Sequence, residues 1–95
     1  MELAYVKLDS DQISTALRDA PGWSIEDGKL SKQFKFDAYL KGAEFASAVA
    51  NGAENLNHHP DILVGYKKVT VSVNTHDVGG ISPYDFELAR RIEAI

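Results

Sequence analysis

Alternation of valine with polar residues around position 70 constrains the fold of this chain more than any other feature. The three valines occupy every second position, namely Val69, Val71 and Val73. A period of two is typical of a strand with one buried face and one solvated face, the usual condition in an antiparallel sheet. A strand is therefore predicted over residues 68–75, and other elements must cover its valine face.

Two hairpins account for four strands. Asp27-Gly28 predicts the type I′ turn of the first hairpin. Lys32 falls on the apolar side of the return strand, which suggests a strand end or a sheet edge. The second hairpin pairs residues 62–66 with residues 68–75 across a turn at Lys67-Lys68.

The first two helices are predicted from their caps and apolar spacing. Asp9 is expected to be the N-cap of the first helix, with Gln12 as its reciprocal partner. Asp37 is the expected N-cap of the longest helix, over residues 38–56. This helix should stop near Asn57, because the residue before Pro60 is biased out of the helical region.

The last helix is predicted to begin after Gly79-Gly80, with Ser82 as N-cap and Asp85 at the third position. Its apolar stripe extends to Ile95. The element order is then α-β-β-α-β-β-α. We predict an α+β fold, a single domain over residues 1–95, with a four-stranded antiparallel sheet and the helices packed on one face.

Composition limits the function classes. The chain has no cysteine, so disulfides and thiolate metal sites are excluded. A formal charge of -4 argues against direct nucleic-acid binding, whose footprints are basic. No apolar run approaches the ~20 residues of a membrane span, and residues 1–5 lack the blocks of a signal peptide. A cytoplasmic protein is expected.

All the histidines of the chain lie close together. His58, His59 and His76 fall within nineteen positions. Histidine exchanges a proton near neutral pH, because its unperturbed pKa is about 6.5. Glu54 precedes His58 by four residues, one helical turn, and is expected to hold one nitrogen of that ring.

Several chemistries compete for this cluster. Three histidines and a carboxylate suffice for a catalytic zinc, but adjacent histidines rarely converge on one ion and the spacing His-Glu-x-x-His is absent. No serine has a nucleophile-elbow context. General acid–base work on a small molecule remains. The alternatives are an exposed histidine pair without function, a solvated Glu54, and an Asp85 that only stabilises its helix start.

The spacing of the cluster resembles a known family signature, that of pterin-4a-carbinolamine dehydratase. The residues that carry the resemblance are Glu54, His58, His59, Pro60, Tyr66, His76 and Asp85. Asn57, Thr75 and Asp77 add local agreement. One departure is Tyr84, which stands where family members often have an arginine. A second is Ile62-Leu63, where an aromatic residue is common.

The resemblance implies an enzyme that dehydrates 4a-hydroxytetrahydrobiopterin to quinonoid dihydropterin, in tetrahydropterin recycling, with neither metal nor cofactor. It implies that His58 and His76 act as general acids on the two faces of the ring, and that His59 orients the pterin and serves as base. Glu54 would orient His58, and Asp85 would support the rim of the pocket. Asn57, Pro60, Thr75 and Asp77 would bind or orient substrate.

The resemblance also implies partners. A homodimer or homotetramer is expected, through the small-residue face of the long helix and an unpaired strand edge, together with a functional link to an aromatic amino acid hydroxylase. The alternative function is a protein-binding dimerisation cofactor, or transcriptional coactivator, with secondary dehydratase activity.

Overall fold

The computed structural model describes residues 3–95. Residues 1 and 2 lie outside it, and they belong to the N-terminal segment in which no signal peptide is expected. The elements follow the predicted order. They are α1 (Ser10–Leu17), β1 (Ser24–Glu26), β2 (Lys29–Lys35), α2 (Tyr39–Leu56), β3 (Asp61–Gly65), β4 (Lys68–Val73) and α3 (Pro83–Glu93), with a 3-10 turn (His76–Val78) before α3. The prediction of an α+β fold is confirmed.

The four strands form one antiparallel sheet in the order β1-β2-β4-β3. The predicted type I′ turn is confirmed by positive φ angles of 51° at Asp27 and 76° at Gly28. The second turn lies at Tyr66-Lys67, one residue earlier than predicted, because Lys67 takes the left-handed conformation (φ 59°) and Lys68 already pairs with Gly65.

The expectation of a sheet edge at Lys32 holds locally, because β1 pairs only with Lys29 to Ser31, and Lys32, just beyond them, pairs only with Val71 of β4. Its position on the apolar face has another physical reason. The Lys32 ammonium donates to the carbonyl oxygen of Pro21 at 3.3 Å and pairs with Glu93 at the end of α3. The aliphatic stem therefore covers apolar surface while the charge reaches polar partners.

The cap of α1 is confirmed and that of α2 is corrected. The Gln12 amide nitrogen donates to the Asp9 carboxylate at 2.8 Å, and the Asp9 amide donates to the Gln12 side chain at 2.9 Å. Asp37 is not the N-cap of α2, because the helix begins one residue later and Ala38 occupies that position. Asp37 instead pairs with Lys41 one turn along, at 2.9 Å.

The predicted start of α3 is confirmed, with Ser82 and Asp85 forming a capping box and Pro83 at the first position. Its predicted apolar stripe is correct except at its end. Ile95 is 56% exposed because the helix ends at Glu93.

The helices pack on the valine face of the sheet, around residues from every layer. Residues with no exposed surface lie at the centre of this core, namely Leu30, Val49, Val69, Val71 and Leu88. The opposite face is polar, and the Ser31 and Ser72 hydroxyls meet across β2 and β4 at 3.0 Å. Within residues 3–95, no helix is long and apolar enough to cross a membrane.

Candidate active site

The end of α2 determines where His58 lies. Asn57 adopts the left-handed conformation, with φ 54° and ψ 43°. The His58 amide then donates to the Ala53 carbonyl at 3.0 Å, and the Asn57 amide donates to the Glu54 carbonyl at 3.1 Å. This pair of bonds is the Schellman closure of a helix. The chain reverses here, so His58 turns away from the α2 surface that carries Glu54.

His58 contacts a buried carboxylate. Its Nε2 lies 2.6 Å from Asp85 Oδ1, and Asp85 has no exposed surface. Asp85 Oδ2 accepts from the Thr75 hydroxyl at 2.9 Å and from the Ser82 amide at 2.9 Å. Three donors thus converge on one carboxylate, which compensates for its removal from water. The expected support of the pocket rim by Asp85 stays a prediction, and the structure places Asp85 behind the lining, buried and bonded to the cavity residue His58.

Two hydroxyls complete this buried network. The Thr75 hydroxyl hydrogen is used on Asp85, so the Ser82 hydroxyl must donate to Thr75 across their 2.6 Å separation. The Ser82 oxygen in turn accepts from the Tyr84 amide at 3.2 Å. The network therefore joins the first turn of α3 to the chain just after β4.

The hydrogen bond to Asp85 assigns the two nitrogens of the His58 ring. A carboxylate oxygen accepts, so Nε2 carries the proton and Nδ1 is left for other work. Nδ1 has no hydrogen-bond partner in the protein. Within residues 3–95, Trp23 Nε1 is the one buried side-chain nitrogen or oxygen that lacks such a partner, so Nδ1 is not among the buried atoms. Nδ1 therefore reaches accessible surface.

A cavity of ≈ 350 Å³ gathers the histidines. It is lined by Tyr5, Asn57, His58, His59, Asn74, Thr75, His76 and Asp77. His76 opens the 3-10 turn, which is closed by the Gly79 amide donating to the His76 carbonyl at 2.9 Å. The rings of His59 and His76 are exposed, whereas His58 is 7% exposed. The cavity thus combines one buried imidazole with two exposed ones.

Not every predicted site residue lines the cavity. Glu54 contacts His59 rather than His58, with 3.5 Å between Oε2 and Nε2, so its predicted role towards His58 is corrected. The reversal at Asn57 is the physical reason. Pro60 lies between His59 and β3, and Tyr66 lies in the β3–β4 turn beside Tyr39, with ring centroids 6.1 Å apart.

Sequence reasoning did not place three contributors in the site. Tyr5 lines the cavity although it precedes the rest of the site by about fifty positions and belongs to no local motif. Asn74 follows the last residue of β4, and its polar parity was the only signal. Ser82 was recognised as a helix cap, but its second bond to Thr75 depends on tertiary structure.

In the described part of the chain, no three histidine, aspartate or glutamate side chains are grouped so that they could hold a metal ion. The fold and the cavity instead define a small α+β protein with an imidazole backed by a buried carboxylate. The chain belongs to the pterin 4 alpha carbinolamine dehydratase family, whose sequence model matches residues 6–95.

Curated relatives agree with this assignment. A protein of Sulfolobus acidocaldarius is 40% identical over 90 residues, covering 95% of this chain and 99% of the relative. One from Solibacter usitatus is 37% identical over 89 residues, covering 94% of each chain. Both carry the name "putative pterin-4-alpha-carbinolamine dehydratase".

Two solved structures share the fold. A Brucella melitensis protein described as a transcriptional coactivator/pterin dehydratase superposes with a TM-score of 0.86 at 32% identity, covering 93% of this chain and 96% of its own. A pterin dehydratase-like protein described as a RuBisCO assembly factor in the alpha-carboxysome gives a TM-score of 0.61 at 25% identity, with coverages of 76% and 83%.

Proposed function

We propose that this protein dehydrates 4a-hydroxytetrahydropterin to quinonoid dihydropterin by histidine acid–base catalysis, in the recycling of a tetrahydropterin used by a hydroxylase. The observation that carries the proposal is the cavity into which all three histidines converge, one of them backed by a buried carboxylate. Family membership supports the same reaction.

The reaction requires two proton transfers. The hydroxyl at C4a leaves as water once its oxygen is protonated, and a ring nitrogen of the pterin loses a proton as the new carbon–nitrogen double bond forms. A positioned acid or base contributes about 10²–10⁴-fold to such a step. Imidazole suits both directions near neutral pH.

His58 is the acid that the geometry supports best. Asp85 holds Nε2–H, which fixes the ring and leaves Nδ1 to transfer a proton at the cavity surface. The carboxylate also stabilises the positive charge of the protonated ring, as an orienting carboxylate does in a hydrolase triad.

His76 and His59 take the remaining roles. His76 lies on the opposite segment of the cavity lining, after β4, and we assign it as the second acid. His59, beside Glu54, is assigned to pterin orientation and to accepting the ring proton. Asn57, Thr75 and Asp77 are assigned to substrate orientation from the same lining.

The test follows the decay of freshly generated 4a-hydroxytetrahydropterin by absorbance, with and without protein, in the presence of a chelator. We expect acceleration that survives the chelator and is lost in the His58→Ala/His76→Ala double variant. Leu40→Ala, on the exposed face of α2, is the matched control and should retain turnover, since Leu40 is 69% exposed and outside the cavity. A folded protein that gives no acceleration contradicts the proposal.

A protein-binding role is the second candidate, and one observation favours it. Two large aromatic side chains stand exposed next to each other on α2 and the β3–β4 turn, Tyr39 at 52% and Tyr66 at 72%, with ring centroids 6.1 Å apart. Contiguous exposed apolar surface marks contact sites, including those between copies of one chain. A binding module needs no histidines, so replacing all three by alanine should leave the mass measured by light scattering, and any partner affinity, unchanged.

A further inference from the structure

Three aromatic rings stand in a row at the cavity. The rings of Tyr5 and Tyr84 are stacked, with centroids 4.6 Å apart and an interplanar angle of 24°. The Tyr84 ring is tilted against that of His58, at 5.7 Å and 42°. Tyr5 lines the cavity, whereas Tyr84 is half-buried and does not. Tyr84 therefore stands between an exposed ring and the buried imidazole.

The backbone holds both tyrosines near fixed points. Tyr84 lies in the first turn of α3, where its amide donates to the Ser82 hydroxyl. Tyr5 lies three residues before Leu8, which is buried and whose amide donates to the Ile81 carbonyl at 2.8 Å. The segment before α1 is thus fastened beside the start of α3, and the Tyr5 ring is kept within reach of the cavity.

More than half of the Tyr5 surface remains exposed to solvent. It is 55% exposed although its ring is stacked on Tyr84. A large aromatic ring left half-exposed at a cavity offers a surface for a flat ligand, because offset stacking of two rings contributes beyond the area that it buries. The bicyclic ring of a pterin is a ligand of that shape.

We propose that Tyr5 is a substrate-binding residue that forms the aromatic wall of the cavity, and that Tyr84 is the positioning residue that presents it. This inference rests on the proposed dehydratase function. It assigns ground-state binding of the pterin ring to a residue outside the histidine segment.

The first experiment compares Tyr5→Ala, Tyr5→Phe and Val6→Ala in the dehydratase assay. We expect Tyr5→Ala to raise KM about 3- to 10-fold, the range that an aromatic pair provides, with kcat within about twofold because proton transfer is untouched. Tyr5→Phe should restore KM. Val6→Ala changes an exposed neighbour that does not line the cavity, and should match the wild type.

The outcomes separate the two proposals. An inactive wild-type protein overturns the dehydratase function, and Tyr5 is then judged by the Kd of 7,8-dihydrobiopterin, which Tyr5→Ala must weaken. An active wild type with an unchanged KM in Tyr5→Ala overturns the aromatic wall alone. If Tyr5→Ala lowers Tm but leaves KM unchanged, the ring only fastens the N-terminal segment, and the inference fails.

A double-mutant cycle tests Tyr84. Removing its ring with Tyr84→Leu should raise KM, and adding Tyr5→Ala should raise KM no further, because Tyr84 acts on binding through Tyr5. Tyr84→Phe keeps the stack and should restore KM. Additive effects of the two changes would overturn the positioning role. If Tyr84→Leu does not fold, Tyr84→Met provides the same cycle.

Discussion

Asp85 combines two tasks in one side chain. It caps the start of α3 through the Ser82 amide, and it holds the imidazole of His58. The capping role of Asp85 can be read from its spacing to Ser82. Its contact with His58, the proposed acid, exists only in the folded chain. Its complete burial makes both tasks sensitive to a change of a single atom.

Replacing Asp85 with asparagine should lower kcat at least about 10²-fold. The amide nitrogen of asparagine donates where a carboxylate oxygen accepts, so one of the three donors now facing Asp85 loses its acceptor. The tautomer of His58 is then no longer fixed. The measurement is single-turnover dehydration by protein shown to be folded by circular dichroism. A kcat within threefold of the wild type would refute this role for Asp85.

Glu87 should make stability depend on pH. Its hydrogen bond to Arg90 is the main cause that lowers its pKa to about 2, and Arg91 adds to the shift. A depressed carboxyl pKa stabilises the fold above its unfolded value of 4.5, and this contribution is lost as the pH falls towards 2. Solvent screening limits it to about 1 kcal/mol.

Urea unfolding of the wild type and of Glu87→Gln, at pH 6 and near pH 2, measures this contribution. The variant should be less stable at pH 6, and the difference should shrink at the lower pH. Glu87 does not line the histidine cavity, so dehydratase activity serves as the control and should not change. A difference that stays constant with pH would contradict the assigned cause.

At the scale of elements, the end of α2 sets the direction of the histidine segment. Asn57 is left-handed, a conformation that glycine adopts freely and that asparagine tolerates better than other residues. Asn57→Ala should therefore lower the free energy of unfolding by about 1 kcal/mol, while Asn57→Gly should cost less. Urea titration compares the two variants, and equal stabilities would show that the left-handed turn carries no strain.

Elements defined by neighbours in sequence were predictable. The capping boxes at Asp9 and Ser82 join residues three apart, so their chemistry is legible without a fold. The polar partners of Lys32 were not predictable, because Pro21 and Glu93 reach its ammonium only in the folded chain. The same limit applies to the site. Its histidines are visible in the sequence, but the partner of His58 lies twenty-seven residues away, whereas local spacing points to Glu54, which contacts His59 instead.

At the scale of the whole molecule, the cavity joins segments that are far apart in the chain. Its lining comes from the segment before α1, from the turn after α2 and from the turn after β4. A ligand that bridges them binds the folded chain and not the unfolded one. Saturation with 7,8-dihydrobiopterin at 100 times its Kd should therefore add about 2.7 kcal/mol to the free energy of unfolding. Thermal melting measures the gain, and an unchanged Tm at saturation would exclude this mode of binding.

The bonds of Ser82 join the start of α3 to the buried carboxylate that holds His58. The Ser82 amide can exchange its proton with solvent only when its bond to Asp85 breaks, and that bond is next to the one holding His58. Hydrogen exchange at this single amide thus reports how often the bond between Ser82 and Asp85 opens. The opening of this hydrogen bond beside the proposed acid can therefore be followed by NMR in the ligand-free protein, before any substrate is made.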